Sequence, residues 1–181
     1  MIELFLQAYS LPLIAEVRFP SDYFSEYPQQ IRIGKDAPVL YSRQSGYYAV
    51  HYKQPNAISS TAALVLNEGK IAVFAGEPKS TITDTVSPVY QLQGGSVAVP
   101  TGLVLIRFAQ DVDVESQKAA IDRAGYEVEL ILAHAPHAAW LRAKSGKMSD
   151  AFQGITRLEA LPNVENVEPQ MLMERRKRSI N

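Results

Sequence analysis

At 181 residues, 46% hydrophobic and 20% charged, the chain has room for one large globular domain or two small ones. A formal net charge of -1 gives no global field to gather nucleic acid, and the absence of cysteine removes disulfides, thiolate chemistry and thiolate metal sites. The start, Met1-Ile2-Glu3-Leu4-Phe5-Leu6, lacks the basic and long apolar regions of a signal peptide, and no apolar run approaches the ~18 residues of a membrane span, so a soluble chain, cytoplasmic as encoded, is expected.

The first hundred residues read as β. Short runs rich in β-branched and aromatic residues lie at 13–19, 30–33, 39–42, 47–52, 62–66 and 71–75. Turn signals separate them: Gly34-Lys35-Asp36, Ser45-Gly46, Gln54-Pro55-Asn56, Asn67-Glu68-Gly69, Gly76-Glu77-Pro78 and Gly94-Gly95. Asn67-Glu68-Gly69 predicts a hairpin, with Gly69 in a left-handed conformation. Tyr47, Tyr48 and Tyr52 read as sheet stabilisers. This spacing predicts an all-β domain over 1–100, a small sandwich or barrel.

The pattern changes at Val99-Pro100-Thr101-Gly102. A strand is predicted over 103–108, then a helix over 115–124 with Asp113 as N-cap and Gly125 at its end. Residues 126–132 alternate, with Tyr126, Val128, Leu130 and Leu132 on one face and Glu127 and Glu129 on the other. A turn at 133–136 leads to a strand over 138–142 that carries Trp140, expected in the core, with an aromatic surface shared with Tyr126 on the sheet as the alternative. A second amphipathic helix covers 149–161, capped by Ser149 and presenting Phe152, Ile155, Leu158 and Leu161 on one stripe. A last strand spans 164–167 and Pro169 ends it. The order β-α-β-β-α-β is that of the ferredoxin-like unit, so the predicted class is α+β.

Residues 102–170 resemble the propeptide-like inhibitor domain of subtilisin-type proteases. Three segments carry the likeness: Leu103-Val104-Leu105-Ile106-Arg107-Phe108, the helix from Val114 to Gly125, and Leu158-Glu159-Ala160-Leu161-Pro162-Asn163-Val164-Glu165-Asn166-Val167-Glu168-Pro169, which matches a "Pro-x-Val-x-x-Val-Glu-Pro" ending. Residues 1–100 carry no assignable motif and look like the extra prodomain half of fervidolysin-type proteases. The resemblance implies a binding function. The sheet face would pack on two surface helices of the enzyme, with Glu127, Glu129, Asp111 and Asp113 as candidates for capping those helices. The alternative is that Glu127 and Glu129 are simply the solvated face of a strand.

The resemblance further implies a flexible basic tail, 171–181, that enters the protease cleft as an extended strand. Gln170, Met171, Leu172, Met173, Glu174, Arg175 and Arg176 would form the inserted segment, with the scissile position near Arg176. A disordered basic terminus is the alternative. No protease domain follows in this sequence, so a partner enzyme in trans is expected, for inhibition, assisted folding or both. A non-enzymatic interaction or regulatory module is the rival function. Among the histidines, His51, His134 and His137 carry no catalytic motif. Gly94-Gly95 lacks the lysine of a phosphate loop, and Asp111-x-Asp113 lacks the glycine and closing glutamate of a calcium loop. No catalytic site, metal or cofactor is expected, nor a nucleic-acid or membrane partner. Self-association is left open.

Overall fold

The computed structural model describes residues 22–34, 38–55 and 61–174. The strand expected at 13–19, Lys35, Asp36, Asn56, Arg175 and Arg176 lie outside the described residues. The fold is α+β, and its strands form one antiparallel sheet. In chain order the elements are β1 (Gln30–Ile33), β2 (Val39–His51), β3 (Leu64–Leu66), β4 (Ile71–Ala75), β5 (Thr85–Leu92), β6 (Val97–Phe108), α1 (Val114–Arg123), β7 (Tyr126–Leu132), β8 (Ala135–Ala143), α2 (Met148–Gln153), α3 (Ile155–Glu159) and β9 (Val164–Met173). The nine strands run in the order β3-β4-β2-β5-β6-β8-β7, with β1 added to β2 and β9 to β6.

The long strand β6 joins the two halves. One edge carries β9 along its whole length, from Ala98↔Met173 to Phe108↔Val164. The other edge is divided: Val97 and Ala98 register with β5, and residues 103–107 with β8. Between them β6 bulges, its register against β9 shifting between Pro100 and Val104, and Gly102 takes a φ of +83° that side-chain-bearing residues rarely adopt. The boundary expected at residue 100 thus falls inside a strand. The separate sandwich or barrel expected for 1–100 is replaced by one end of a shared sheet.

Alternation along the strands separates two faces. On one, Val104, Ile106, Phe108, Tyr126, Ala139, Leu141 and Val167 form a core with Val114 and Ile121 of α1, Ala151 of α2 and Leu158 of α3. The helices therefore cover this face alone in the second half of the sheet. Helices α2 and α3 meet at Gly154 (φ -92°, ψ -5°), which caps both. The expected single helix is broken at this glycine, and the Tyr126 ring lies against it: an added Cβ would stand 2.3 Å from the phenol oxygen. In the first half, Ala49, Leu66, Ile71, Val73, Val89 and Val99 line one face, and Ile31, Tyr41, Tyr90 and Ala98 line the other with Phe152 of α2.

Other differences from the sequence reading have local causes. Ser45-Gly46 is no turn between strands; Gly46 (φ +78°) sits in an irregularity of the register between Gln44 and Tyr48, and β2 continues through it. Strand β5 has no counterpart in the sequence reading; its Pro88 pairs opposite Tyr48 and is fully buried. Asp113 occupies the N-cap of α1, but its carboxylate makes no capping bond; Ser116 instead donates its hydroxyl to the Asp113 carbonyl at 2.7 Å. Ser149 is not an N-cap either. It is buried one residue inside α2, its hydroxyl donating to Glu26 at 3.4 Å. The hairpin at 67–69 forms as expected, all three residues at positive φ. Tyr48 stacks on Phe74 across the sheet at 5.6 Å, whereas Tyr47 remains 45% exposed.

Candidate interaction face and the end of β9

On the second half of the sheet the helix-free face is built by the residues between the core positions. Cross-strand register aligns one row over four strands: Glu168 of β9, Leu105 of β6, Trp140 of β8 and Leu130 of β7. Leu130 is 58% exposed, and Trp140 and Leu105 are half-buried and belong to none of the apolar clusters. This corrects the expectation that Trp140 lies in the core. Its neighbours Ala139 and Leu141 take the core side, and strand alternation turns the indole the other way.

Beside this row Leu103 pairs opposite Arg142, and Arg142 opposite Glu127. Glu129 accepts from Arg142 Nε at 3.1 Å and from Nη2 at 3.3 Å, a two-point pair that holds its carboxyl below the usual carboxylate range. Glu129 is thus engaged in the free protein, while Glu127 is exposed beside the same guanidinium. Asp111 and Asp113 are exposed in the β6–α1 loop, beyond Phe108. That end of β6 stands about 17 Å along the strand from the level of Glu127 and Leu103. The four acids expected to cap partner helices therefore form two groups at opposite ends of the sheet.

The end of β9 differs from the sequence reading. Pro169 does not stop the strand. It pairs opposite Val104, and Met171, Leu172 and Met173 continue opposite Pro100, Val99 and Ala98. An edge strand tolerates proline because one row of its N–H groups faces away from the sheet. Met171 packs with Tyr90 and Phe152, Leu172 with Val89 and Val99, and Gln170 accepts from the Thr101 hydroxyl at 2.8 Å. Of the expected tail residues, Gln170, Met171, Leu172 and Met173 are thus strand; Glu174 is exposed just beyond it. The signal available in the sequence was the alternation of Val167, Pro169 and Met171 against Glu168, Gln170 and Leu172.

One polar contact was not foreseen. His51 Nε2 lies 2.9 Å from the Ser87 hydroxyl, and that hydroxyl donates to the Pro88 carbonyl at 3.2 Å. Ser87 is fully buried and is not presented to a substrate. Burial lowers the His51 pKa from 6.5 to about 4. The folded state then binds fewer protons than the unfolded state between those values, so stability is fully present above pH 6.5 and is lost as pH falls towards 4. The contribution is up to about 3 kcal/mol. Urea unfolding of the wild type and of His51→Gln from pH 7.5 to 4 is expected to show a shallower slope in the variant; equal slopes would remove His51 from the acid response.

Among the described residues no group of three or more His, Asp or Glu side chains could hold a metal ion, and no helix is long and apolar enough to cross a membrane. Comparison with protein-family models, curated proteins and solved structures gives no match.

Proposed function

We propose that the chain is a propeptide-like protein that binds a subtilisin-type protease in trans, as inhibitor, folding aid or both. On this reading residues 103–173 are the ferredoxin-like unit and the strands before them a β extension fused to its sheet. The observation that carries the proposal is the row Leu105–Trp140–Leu130 on the helix-free face, an accessible apolar strip flanked by Glu127, Glu129 and Glu168. Such a strip suits an amphipathic helical surface, with carboxylates at its margin placed to meet helix N-termini. Because residues 170–173 belong to β9, the segment entering a cleft starts at Glu174 and contains Arg175 and Arg176. A regulatory module without inhibition is the second reading, favoured by the same commitment of residues 170–173 to the sheet.

The test is titration of propeptide-free subtilisin-type proteases with the full chain, with Trp140→Ala and with a chain ending at Glu174. Trp140→Ala is expected to weaken binding by about tenfold to a hundredfold, the loss typical of a central aromatic anchor. The shortened chain is expected to bind while inhibiting less. Binding with undiminished inhibition would take the tail out of the mechanism, and absence of binding to any enzyme would leave the regulatory reading.

A further inference from the structure

We propose that the notch in the edge of β6, where β5 and β8 part company, binds a small oxyanion: a phosphate or a carboxylate group. Ala98 is the last residue of β6 registered with β5, and Leu103 the first registered with β8. Residues 99–102 have no strand partner on that edge. The gap is a cavity of about 180 Å³ lined by Thr85 and His51 from the first half, and by Thr101, Arg142, Lys147 and Met148 from the second. A volume of this size takes a phosphate or a short carboxylate. It is too small for a nucleotide, whose pocket would fall in the ~300–1,000 Å³ range.

The charge of the lining selects the sign of the ligand. Two cations line the cavity and no carboxylate does. Arg142 commits Nε and Nη2 to Glu129, which leaves Nη1 outside that pair. Lys147 has no ion-pair partner among the described residues, whereas the nearby Lys144 is bonded to Asp122 at 2.7 Å. The Thr85 hydroxyl adds a neutral donor, while that of Thr101 is already spent on Gln170. An ammonium, part of a guanidinium and a hydroxyl around a half-enclosed space offer charge-assisted hydrogen bonds to an oxyanion. A bound anion would also tie the two halves of the sheet together at the point where their strands separate.

The experiment uses the full chain, with inorganic phosphate and acetate as separate probes and chloride at matched ionic strength as reference. The readouts are fluorescence of Trp140, the one tryptophan, two residues from Arg142 on β8, and the thermal midpoint. Saturable responses beyond the chloride reference are expected, and a ligand selective for the folded state raises the midpoint. Lys147→Ala should weaken the response about tenfold, and Lys147→Gln likewise, with Lys144→Ala unchanged. Preference for phosphate would assign a phosphate site, and equal response to acetate a general oxyanion site. Responses no larger than with chloride up to about 50 mM, or a Lys147 variant that binds as well as wild type, overturn the proposal.

Discussion

A chain ending at Glu168 is expected to melt at least ~8 °C below one ending at Glu174, and to lose structure in the first half of the sheet as well as the second. The shorter chain lacks Pro169 and the run opposite Ala98, Val99 and Pro100. It also lacks Met171, which packs in the cluster of Tyr41, Tyr90 and Phe152, and Leu172, which packs in that of Ala49, Val73 and Val89. Two half-buried apolar side chains contribute about 1–2 kcal/mol each, and the strand hydrogen bonds a similar sum, so the loss is on the order of 4–8 kcal/mol. The longer chain keeps all of β9 and is the control. Circular dichroism melts of the two proteins decide the matter; coincident midpoints would mean that residues 169–173 add nothing to the fold. The comparison also governs any test of inhibition, since a cut at Glu168 would confuse a lost tail with a weakened sheet.

The second large effect is expected at Gly154. Alanine there would place a Cβ 2.3 Å from the Tyr126 oxygen and 2.5 and 2.7 Å from two ring carbons. The ring cannot retreat, because Tyr126 is 1% exposed and its hydroxyl donates to the Ala151 carbonyl at 2.7 Å. Helix propensity alone would favour alanine by about 1 kcal/mol. Overpacking opposes it, and we expect a net destabilisation of about 2–4 kcal/mol. Tyr126→Phe alone should cost about 1 kcal/mol, the value of one hydrogen bond. In that background Gly154→Ala should still destabilise, because the ring-carbon contacts survive removal of the oxygen. Denaturant midpoints for the four proteins test this, and a neutral or stabilising Gly154→Ala would show that the helix junction has room to adjust.

The sequence was most legible where neighbouring residues decide the structure. Strands β1 and β4 fall at 30–33 and 71–75, as patterning predicts, and the 67–69 turn follows from its glycine. Helix α1 also falls within a residue of its expected bounds. Misreadings arise where a distant element overrides a local signal. Gly46 and Gly102 read as breaks because glycine marks turns, but both sit in irregularities of strands that continue. Pro169 reads as a strand stop, yet it is accommodated inside β9 by its place at the sheet edge. The candidate face was partly legible: alternation separated Glu127 from Tyr126 and Val128, but it also placed Leu130 with Tyr126, whereas the register shift between Val128 and Leu130 sets Leu130 opposite Trp140 and leaves it 58% exposed. The grip of Arg142 on Glu129, and the turning outward of Trp140, depend on the pairing of β7 with β8, which no single segment encodes.

The path of β9 also sets an order of events in folding. It pairs residue 98 with residue 173 and, a few rungs on, 108 with 164, so one late segment completes the sheet on both sides of the β6 bulge. Such distant pairings form slowly, because a long loop must close before any contact compensates for it. A nascent chain that has not yet delivered residues 169–173 leaves β6 uncovered along the edge they would occupy. Both halves of the sheet therefore stay incomplete along that edge until the same final stitch is made.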